Sequence, residues 1–175
     1  MAHTSRKPET RIRGFPPIER RGARVLVLGS MPGVASLAAK EYYAHPRNQF
    51  WRIVGELYGF DPAVPYRRRT QTLCLAGVAL WDVLASCARP GSLDADIDER
   101  SIVVNPFTRF LAAHPRIRRV CFNGRKAEAA WRRYVHCELP EARALSYVLL
   151  PSTSPAHAGM SYPRKLRAWR RALAA

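Results

Sequence analysis

The sequence contains no apolar run of the ~18 residues that a membrane-spanning helix needs, so we expect no membrane association. Its first residues also lack the apolar segment of a secretory signal, which favours a cytoplasmic protein, associated with the nucleoid in a prokaryote. No two cysteines stand close together, as zinc and iron–sulfur sites require; they are Cys74, Cys87, Cys121 and Cys137. We therefore expect neither a bound metal nor disulfides.

Acidic residues are scarce: 13 Asp and Glu stand against 29 Lys and Arg, which gives a formal net charge of +16. Such an excess creates a positive field that attracts polyanions, and arginine suits phosphate oxygens. An arginine-rich coding bias is the alternative explanation. A length of 175 residues predicts one domain. We place it at residues 21–175, after a flexible, basic, proline-containing arm at residues 1–20.

Four short apolar runs predict buried strands, at residues 24–28, 77–81, 118–122 and 146–150. Helical patterns cover residues 48–58 and 125–134, and a last helix is expected to start at Ser161, with Pro163 in its first turn. Alternation of strands and helices predicts an α/β sandwich with a mostly parallel sheet.

Polar and glycine-containing segments follow each predicted strand, and ligands in such sheets bind at the carboxyl ends of the strands. These segments are Gly29-Ser30-Met31-Pro32, Asp82, Asn123-Gly124 and the stretch PSTSP at 151–155. Close to the first of them lies YYAHPRNQFW at 42–51, rich in aromatic rings and amides. Together they suit a pocket for a flat polar heterocycle such as a nucleobase. Ordinary turn residues at strand ends are the alternative.

Five segments in the same order resemble the uracil-DNA glycosylase superfamily, and within it the hypoxanthine-DNA glycosylase branch. They are VLVLGSMPG, YYAHPRNQFW, GVALWDVLASCARPGSLDADI, RVCFNGRKA and LPSTSPAHA, and they span roughly residues 24–170. The resemblance implies a three-layer α/β/α sandwich with a four-stranded parallel sheet. It also implies a monofunctional base-excision repair enzyme without cofactor or metal. Such an enzyme flips a deaminated base (hypoxanthine, or uracil or xanthine) out of DNA and hydrolyses its N-glycosidic bond.

The same resemblance assigns roles to individual residues. Many superfamily members carry an Asp or Asn just after the first strand, but this chain has Gly29-Ser30-Met31-Pro32 there, so the water-positioning role passes to Asn48. The second motif ends SPAH instead of SPAN, and Pro106 stands where Asp is expected in the segment after Asn105. The residues expected to bind the base are Gly29, Ser30, Met31, Tyr43, Phe50 and Asn123. Those expected to contact DNA are Pro151, Ser152, Ser154, His157, Arg47 and Lys126.

Each of these roles has a structural alternative. Asn48 is also a good helix N-cap, Asn123 a turn residue, and Phe50 and Trp51 apolar residues of a helix face. Asp82 is a rival acid–base group, or else an acceptor for turn amides. At the level of function, the alternatives are a non-catalytic nucleic-acid-binding protein on the same scaffold and a hydrolase of free nucleosides or nucleotides. We expect a monomer that acts on DNA containing deaminated bases.

Overall fold

A computed structural model describes residues 11–139 and 144–174. Its strands are β1 (Arg11–Arg13), β2 (Val25–Gly29), β3 (Val78–Asp82), β4 (Leu84–Ala88), β5 (Asp98–Val104), β6 (Arg119–Asn123) and β7 (Ser146–Leu150). Its helices are α1 (Val34–Ala39), α2 (Phe50–Tyr58), α3 (Tyr66–Leu75), α4 (Phe107–Ala113), α5 (Arg125–Tyr134) and α6 (Tyr162–Leu173).

The central sheet has the order β3-β2-β6-β7, and all of its neighbouring strands are parallel. Every residue of β2 and β3 is buried, which is why these strands appear in the sequence as continuous apolar runs. Observed and predicted strand boundaries differ by at most one residue. The predicted α/β class, with a four-stranded parallel sheet flanked by helices, is confirmed.

A second, antiparallel sheet of order β1-β4-β5 was not predicted from the sequence. Its first strand lies in the segment assigned to a flexible arm: residues 11–13 pair with residues 86–88. Further along, Ile18 and Leu80 exchange backbone hydrogen bonds of 2.9 and 2.8 Å. From Arg11 onward the segment is thus part of the fold, which corrects the expected boundary at residue 20. Residues 1–10 lie outside the described residues.

Helices α2 and α6 pack together and present one apolar face each to the core. The rings of Phe50 and Trp169 meet edge to face, with centroids 5.7 Å apart. The last helix has Ser161 at its N-cap position, as predicted, although the side chain of Ser161 makes no capping hydrogen bond. Helix α2 begins at Phe50, two residues after its predicted start, and this leaves Asn48 in the preceding loop.

Among the helices in residues 11–139 and 144–174, none is both long and apolar enough to cross a membrane.

Candidate active site

A cavity of about 470 Å³ opens at the carboxyl ends of the central strands, a volume typical of small-molecule sites (~300–1,000 Å³). It collects residues from six separate segments of the chain. Its lining comprises residues 29–36, Tyr42, Tyr43, His45, Asn48, Asp82, Ser92, Leu93, Asn123 and residues 152–157. The segments after β2, β3, β6 and β7 therefore converge at one edge, as the sequence predicts.

At the floor of the cavity, Gly29 lies beside the buried carboxylate of Asp82. Gly29 ends β2 and is paired in register with Asp82, the last residue of β3. A Cβ atom on Gly29 would lie 2.4 Å from Oδ1 of Asp82 and 3.0 Å from the hydroxyl of Tyr43. Only glycine therefore lets these two polar groups approach the floor. Asp82 is 3% exposed, so it is buried while its carboxylate still borders the cavity.

Tyr43 forms an aromatic wall, and its backbone has an unusual conformation. Its φ angle is +55°, in the left-handed region that a bulky residue rarely adopts. Such strain costs on the order of 1–3 kcal/mol and is characteristic of ligand-contacting positions. Phe50 packs behind Tyr43, with ring centroids 4.2 Å apart. Phe50 is 0% exposed and does not line the cavity, so the predicted direct contact between Phe50 and a base is wrong. Phe50 instead supports the Tyr43 ring, and Trp51 belongs to the core.

Asn48 lines the cavity from the loop before α2. Its Oδ1 accepts a hydrogen bond of 3.0 Å from the backbone N–H of Phe50, and its own N–H donates to the carbonyl of His45 at 2.8 Å. The side chain thus satisfies one amide at the start of the helix through an i to i+2 bond, although the N-cap position itself is Gln49 and not Asn48. An amide oxygen has two lone pairs, so Oδ1 retains an acceptor position while this bond holds its orientation.

Asn123 lines the cavity at the end of β6, but it also has a structural partner. Its Nδ2 donates to Oγ1 of Thr153 at 2.9 Å, and its Oδ1 accepts from the backbone N–H of Thr153 at 2.9 Å. The carbonyl of Thr153 in turn accepts from the N–H of Gln49 at 3.0 Å. The fully buried Thr153 therefore ties the end of β6 to the start of α2, a role that the sequence does not reveal.

The loop at residues 151–157 is held at both ends by α6. Trp169 donates its indole N–H to the carbonyl of Pro151 at 3.0 Å, and the ammonium of Lys165 donates to the carbonyl of His157 at 2.8 Å. Lys165 is 2% exposed, and this burial lowers the pKa of its ammonium. Ser152 and Ser154 accept local backbone N–H bonds, from Ser154 and Ala156 respectively. The hydroxyl-rich loop is consequently preorganised at the cavity rim.

Two tyrosines beside the cavity remain protonated. Burial, and next the negative charge of Asp82, raises the pKa of the Tyr42 hydroxyl. Burial is also the main cause that raises the pKa of Tyr66, whose hydroxyl accepts the N–H of Tyr42 at 3.0 Å. Asp82 lines the cavity, and its negative charge acts on both of these neutral phenols.

Three of the residues predicted to contact DNA do not line the cavity. The carbonyl of Pro151 accepts the hydrogen bond from Trp169 described above. Arg47 is exposed and lies outside the cavity lining. Lys126 forms an ion pair with Glu99, with Nζ and Oε1 3.5 Å apart. The other three, Ser152, Ser154 and His157, line the cavity together with Gly29, Ser30, Met31, Tyr43, Asn48 and Asn123.

Comparison with known proteins places this arrangement in a family. The model of the uracil DNA glycosylase superfamily matches residues 16–174, nearly the whole chain. The chain belongs to the uracil DNA glycosylase superfamily. Two relatives called hypoxanthine DNA glycosylase come from Methanosarcina acetivorans and Methanosarcina barkeri. They are 38% and 36% identical over 116 and 115 residues, which covers 66% and 65% of this chain and 72% of each relative.

A solved structure of the same superfamily type supports the fold. It is the solution NMR structure of a Methanosarcina acetivorans protein provisionally named a uracil DNA glycosylase. The TM-score is 0.77 at 30% sequence identity, over 95% of this chain and 100% of that one. The glycosylase fold inferred from five short motifs therefore extends across the whole described chain.

Proposed function

We propose that this protein is a DNA glycosylase of base-excision repair that removes deaminated bases, hypoxanthine first among them. The observation that carries the proposal is the cavity at the carboxyl edge of the sheet, with Gly29, Tyr43, Asn48 and Asp82 around it. Membership of the superfamily and the names of the two Methanosarcina relatives support a glycosylase specific for hypoxanthine. The net charge of +16 supports a polyanionic substrate.

The lining suggests how a flipped base would be held. Tyr43, backed by Phe50, offers an aromatic face for stacking. Ser30 and Met31 also line the cavity, and their backbone N–H groups are the donors proposed for the carbonyl oxygen that deamination creates. Each well-placed donor of this kind stabilises developing negative charge by roughly 3–4 kcal/mol. A carbonyl beside an N–H is common to hypoxanthine, uracil and xanthine, whereas adenine presents the opposite pattern.

The reaction needs a water molecule placed on the anomeric carbon. As the bond between this carbon and the base nitrogen breaks, its electron pair leaves with the base. The water oxygen then bonds to the carbon, and a water proton is released. The products are the free base, protonated, and an abasic deoxyribose. Asn48 is neutral and positions the water through Oδ1, which suffices where bond breaking runs ahead of attack. Asp82 is the rival group, since a carboxylate also stabilises the cationic sugar.

Single-turnover base release from a deoxyinosine oligonucleotide tests the proposal. We expect release from this substrate, lower rates with uracil and xanthine, and none with adenine. Asn48→Ala should lower the rate by at least ~100-fold with DNA binding retained, because water positioning contributes on this scale. Gln71→Ala is the matched control, since it removes an exposed helical amide outside the cavity. Asp82→Asn separates the two candidates: a loss there combined with a full rate for Asn48→Ala would move the role to Asp82.

Failure of base release has two distinct forms. Tight, salt-dependent binding of DNA without turnover of any deaminated base would indicate a non-catalytic binding protein. Hydrolysis of free deoxyinosine with comparable efficiency would indicate a nucleoside hydrolase. We further propose that the protein is a monomer and that it acts on DNA in the cytoplasm or nucleoid. Sedimentation of the protein alone and with a duplex tests whether it is a monomer.

A further inference from the structure

The orientation of the Asn123 side chain in the cavity is set by one residue of a distant segment. Asn123 ends β6, and Thr153 lies 30 residues further along, in the loop after β7. The backbone N–H of Thr153 donates to Oδ1 of Asn123 at 2.9 Å, and Oγ1 of Thr153 accepts from Nδ2 at 2.9 Å. Because a backbone N–H can only donate, it must face the oxygen of the amide, and the amide nitrogen then faces the hydroxyl. Thr153 thus fixes both ends of the amide.

Thr153 is itself held in place. Its exposure is 0%, and its carbonyl accepts the backbone N–H of Gln49, at the N-cap of α2, at 3.0 Å. The loop also packs closely on the end of β6: a Cβ atom on Gly124, whose φ is +98°, would lie 3.1 Å from Cβ of Ser152. A support that is locked by packing and hydrogen bonds holds its partner in one geometry, as a recognition site requires.

The direction of the Asn123 amide matters for the choice of base. The two bonds to Thr153 use one proton of Nδ2 and one lone pair of Oδ1, and each atom has a second. Adenine carries an amino group beside an unprotonated ring nitrogen, whereas hypoxanthine carries a carbonyl beside an N–H. Deamination therefore exchanges donor and acceptor along this edge. Turning the amide over makes the same exchange at Asn123, so its orientation decides which of the two bases it fits.

We propose that Thr153 is a positioning residue that determines base specificity, because it holds the Asn123 amide in the orientation that pairs with a deaminated base. This inference rests on the proposed glycosylase function and on the base-binding role of Asn123. Turned over, the amide would place Nδ2 against the N–H of Thr153, donor against donor, at a fully buried residue. Leaving such a buried donor unpaired shifts an equilibrium by roughly 5- to 150-fold, so the turned amide is disfavoured and adenine is rejected.

Two substitutions separate the hydroxyl of Thr153 from its volume. Thr153→Val puts a methyl group where Oγ1 accepts from Nδ2 and so displaces the amide; we expect single-turnover release of hypoxanthine from a duplex to fall roughly 10- to 100-fold. Thr153→Ser keeps the hydroxyl and should retain the rate within about three-fold, although loss of a buried methyl group lowers its Tm. The rate should thus follow the hydroxyl and not the Tm. Thr72→Val is the matched control, since the Thr72 hydroxyl bonds within α3, outside the cavity.

A duplex that contains an abasic site separates positioning from general damage to the loop. This product has no base for Asn123 to contact, and phosphate contacts dominate its affinity, so Thr153→Val should bind it within about two-fold of wild type in fluorescence anisotropy. Adenine should stay uncleaved by every variant, because each keeps the backbone N–H of residue 153.

The side-chain amide resonances of Asn123 report the anchoring in the protein alone, and Asn123→Ala identifies them. One Nδ2 proton should be protected from exchange with water in wild type and in Thr153→Ser, and should lose this protection in Thr153→Val. An unprotected amide in wild type overturns the proposal, as does a full rate in Thr153→Val or an equal loss in Thr153→Ser. A parallel loss of abasic-site affinity, or release of adenine by Thr153→Val, also overturns it. A protected amide in a wild-type protein that releases no base would refute the proposed glycosylase function instead.

Discussion

Gly29 is the position where the geometry of the cavity floor can be tested most directly. A methyl group at this position would lie 2.4 Å from Oδ1 of Asp82, about 1 Å short of normal van der Waals contact. It would also lie 3.0 Å from the Tyr43 hydroxyl. Because Asp82 is buried and its side chain is short, the overlap cannot be relieved by rotation into solvent. Gly29→Ala must therefore displace the carboxylate, the tyrosine or the strand.

The cost can be estimated from this overlap. Overpacking of a buried position typically costs about 1–3 kcal/mol, which for a chain of this size lowers Tm by about 2–12 °C. A displacement of ~1 Å at a catalytic site can reduce the rate by about 100-fold. We therefore expect Gly29→Ala to remain folded, to melt earlier, and to release base from a deoxyinosine oligonucleotide about 100-fold more slowly. Thermal unfolding and single-turnover kinetics measure the two effects separately.

Gly22→Ala is the control for adding a methyl group, since no atom of residues 11–139 or 144–174 lies within 4 Å of its Cβ position. A second comparison isolates the contact itself. In the double variant Gly29→Ala/Asp82→Ala the overlapping oxygen is gone, so its stability loss should be smaller than the sum of the two single losses. Wild-type Tm and rate in Gly29→Ala would refute the reasoning, and additive losses would show that Asp82 is not what the methyl group meets.

Two further predictions concern groups around the core. Tyr58→Phe should stabilise the protein by up to ~1 kcal/mol in urea unfolding, because the buried Tyr58 hydroxyl has no hydrogen-bond partner among the described residues; a loss of stability would contradict this. Burial, chiefly, raises the pKa of Tyr58 to about 12, so the folded state keeps its proton while the unfolded tyrosine ionises near 10. Wild-type stability should therefore fall from about pH 10 to about 12 more steeply than that of the variant. Lys165→Met should preserve or raise Tm, since it removes a buried charge, but weaken duplex binding several-fold in fluorescence anisotropy by releasing the carbonyl of His157. Lys165→Arg, which keeps a donor, should bind more tightly than Lys165→Met, and equal affinities would argue against the loop contact.

The sequence predicted the central sheet well because its strands are buried on both faces. Continuous apolar runs such as residues 24–28 leave little ambiguity, and the carboxyl-edge rule then locates the site. The sheet β1-β4-β5 escaped prediction since β4 is short and rich in small residues, and β5 begins with charged ones. The apolar face of α2 was recognised, but periodicity alone does not separate Phe50, which packs behind a cavity wall, from a residue that lines it. Thr153 bonds to Asn123, 30 residues away, and Lys165 bonds to the carbonyl of His157, eight residues away, and neither contact leaves a pattern along the chain.

The polar group at the cavity floor comes from a strand that the order of residues along the chain does not indicate, because strand register determines which residue lies beside Gly29. The chain lacks an acidic or amide side chain just after β2, where many superfamily members carry one. Register places Asp82 of β3 directly beside Gly29, and the space that a side chain on Gly29 would occupy is filled by the Asp82 carboxylate and the Tyr43 hydroxyl. The Asp82 carboxylate therefore requires glycine at position 29, because a larger residue there would overlap it. A polar group is thus present at this edge, supplied by the neighbouring strand. Asn48 and Asp82 line the same cavity, so the roles proposed for them, water positioning by the amide and stabilisation of positive charge by the carboxylate, predict separate losses of rate in Asn48→Ala and Asp82→Asn.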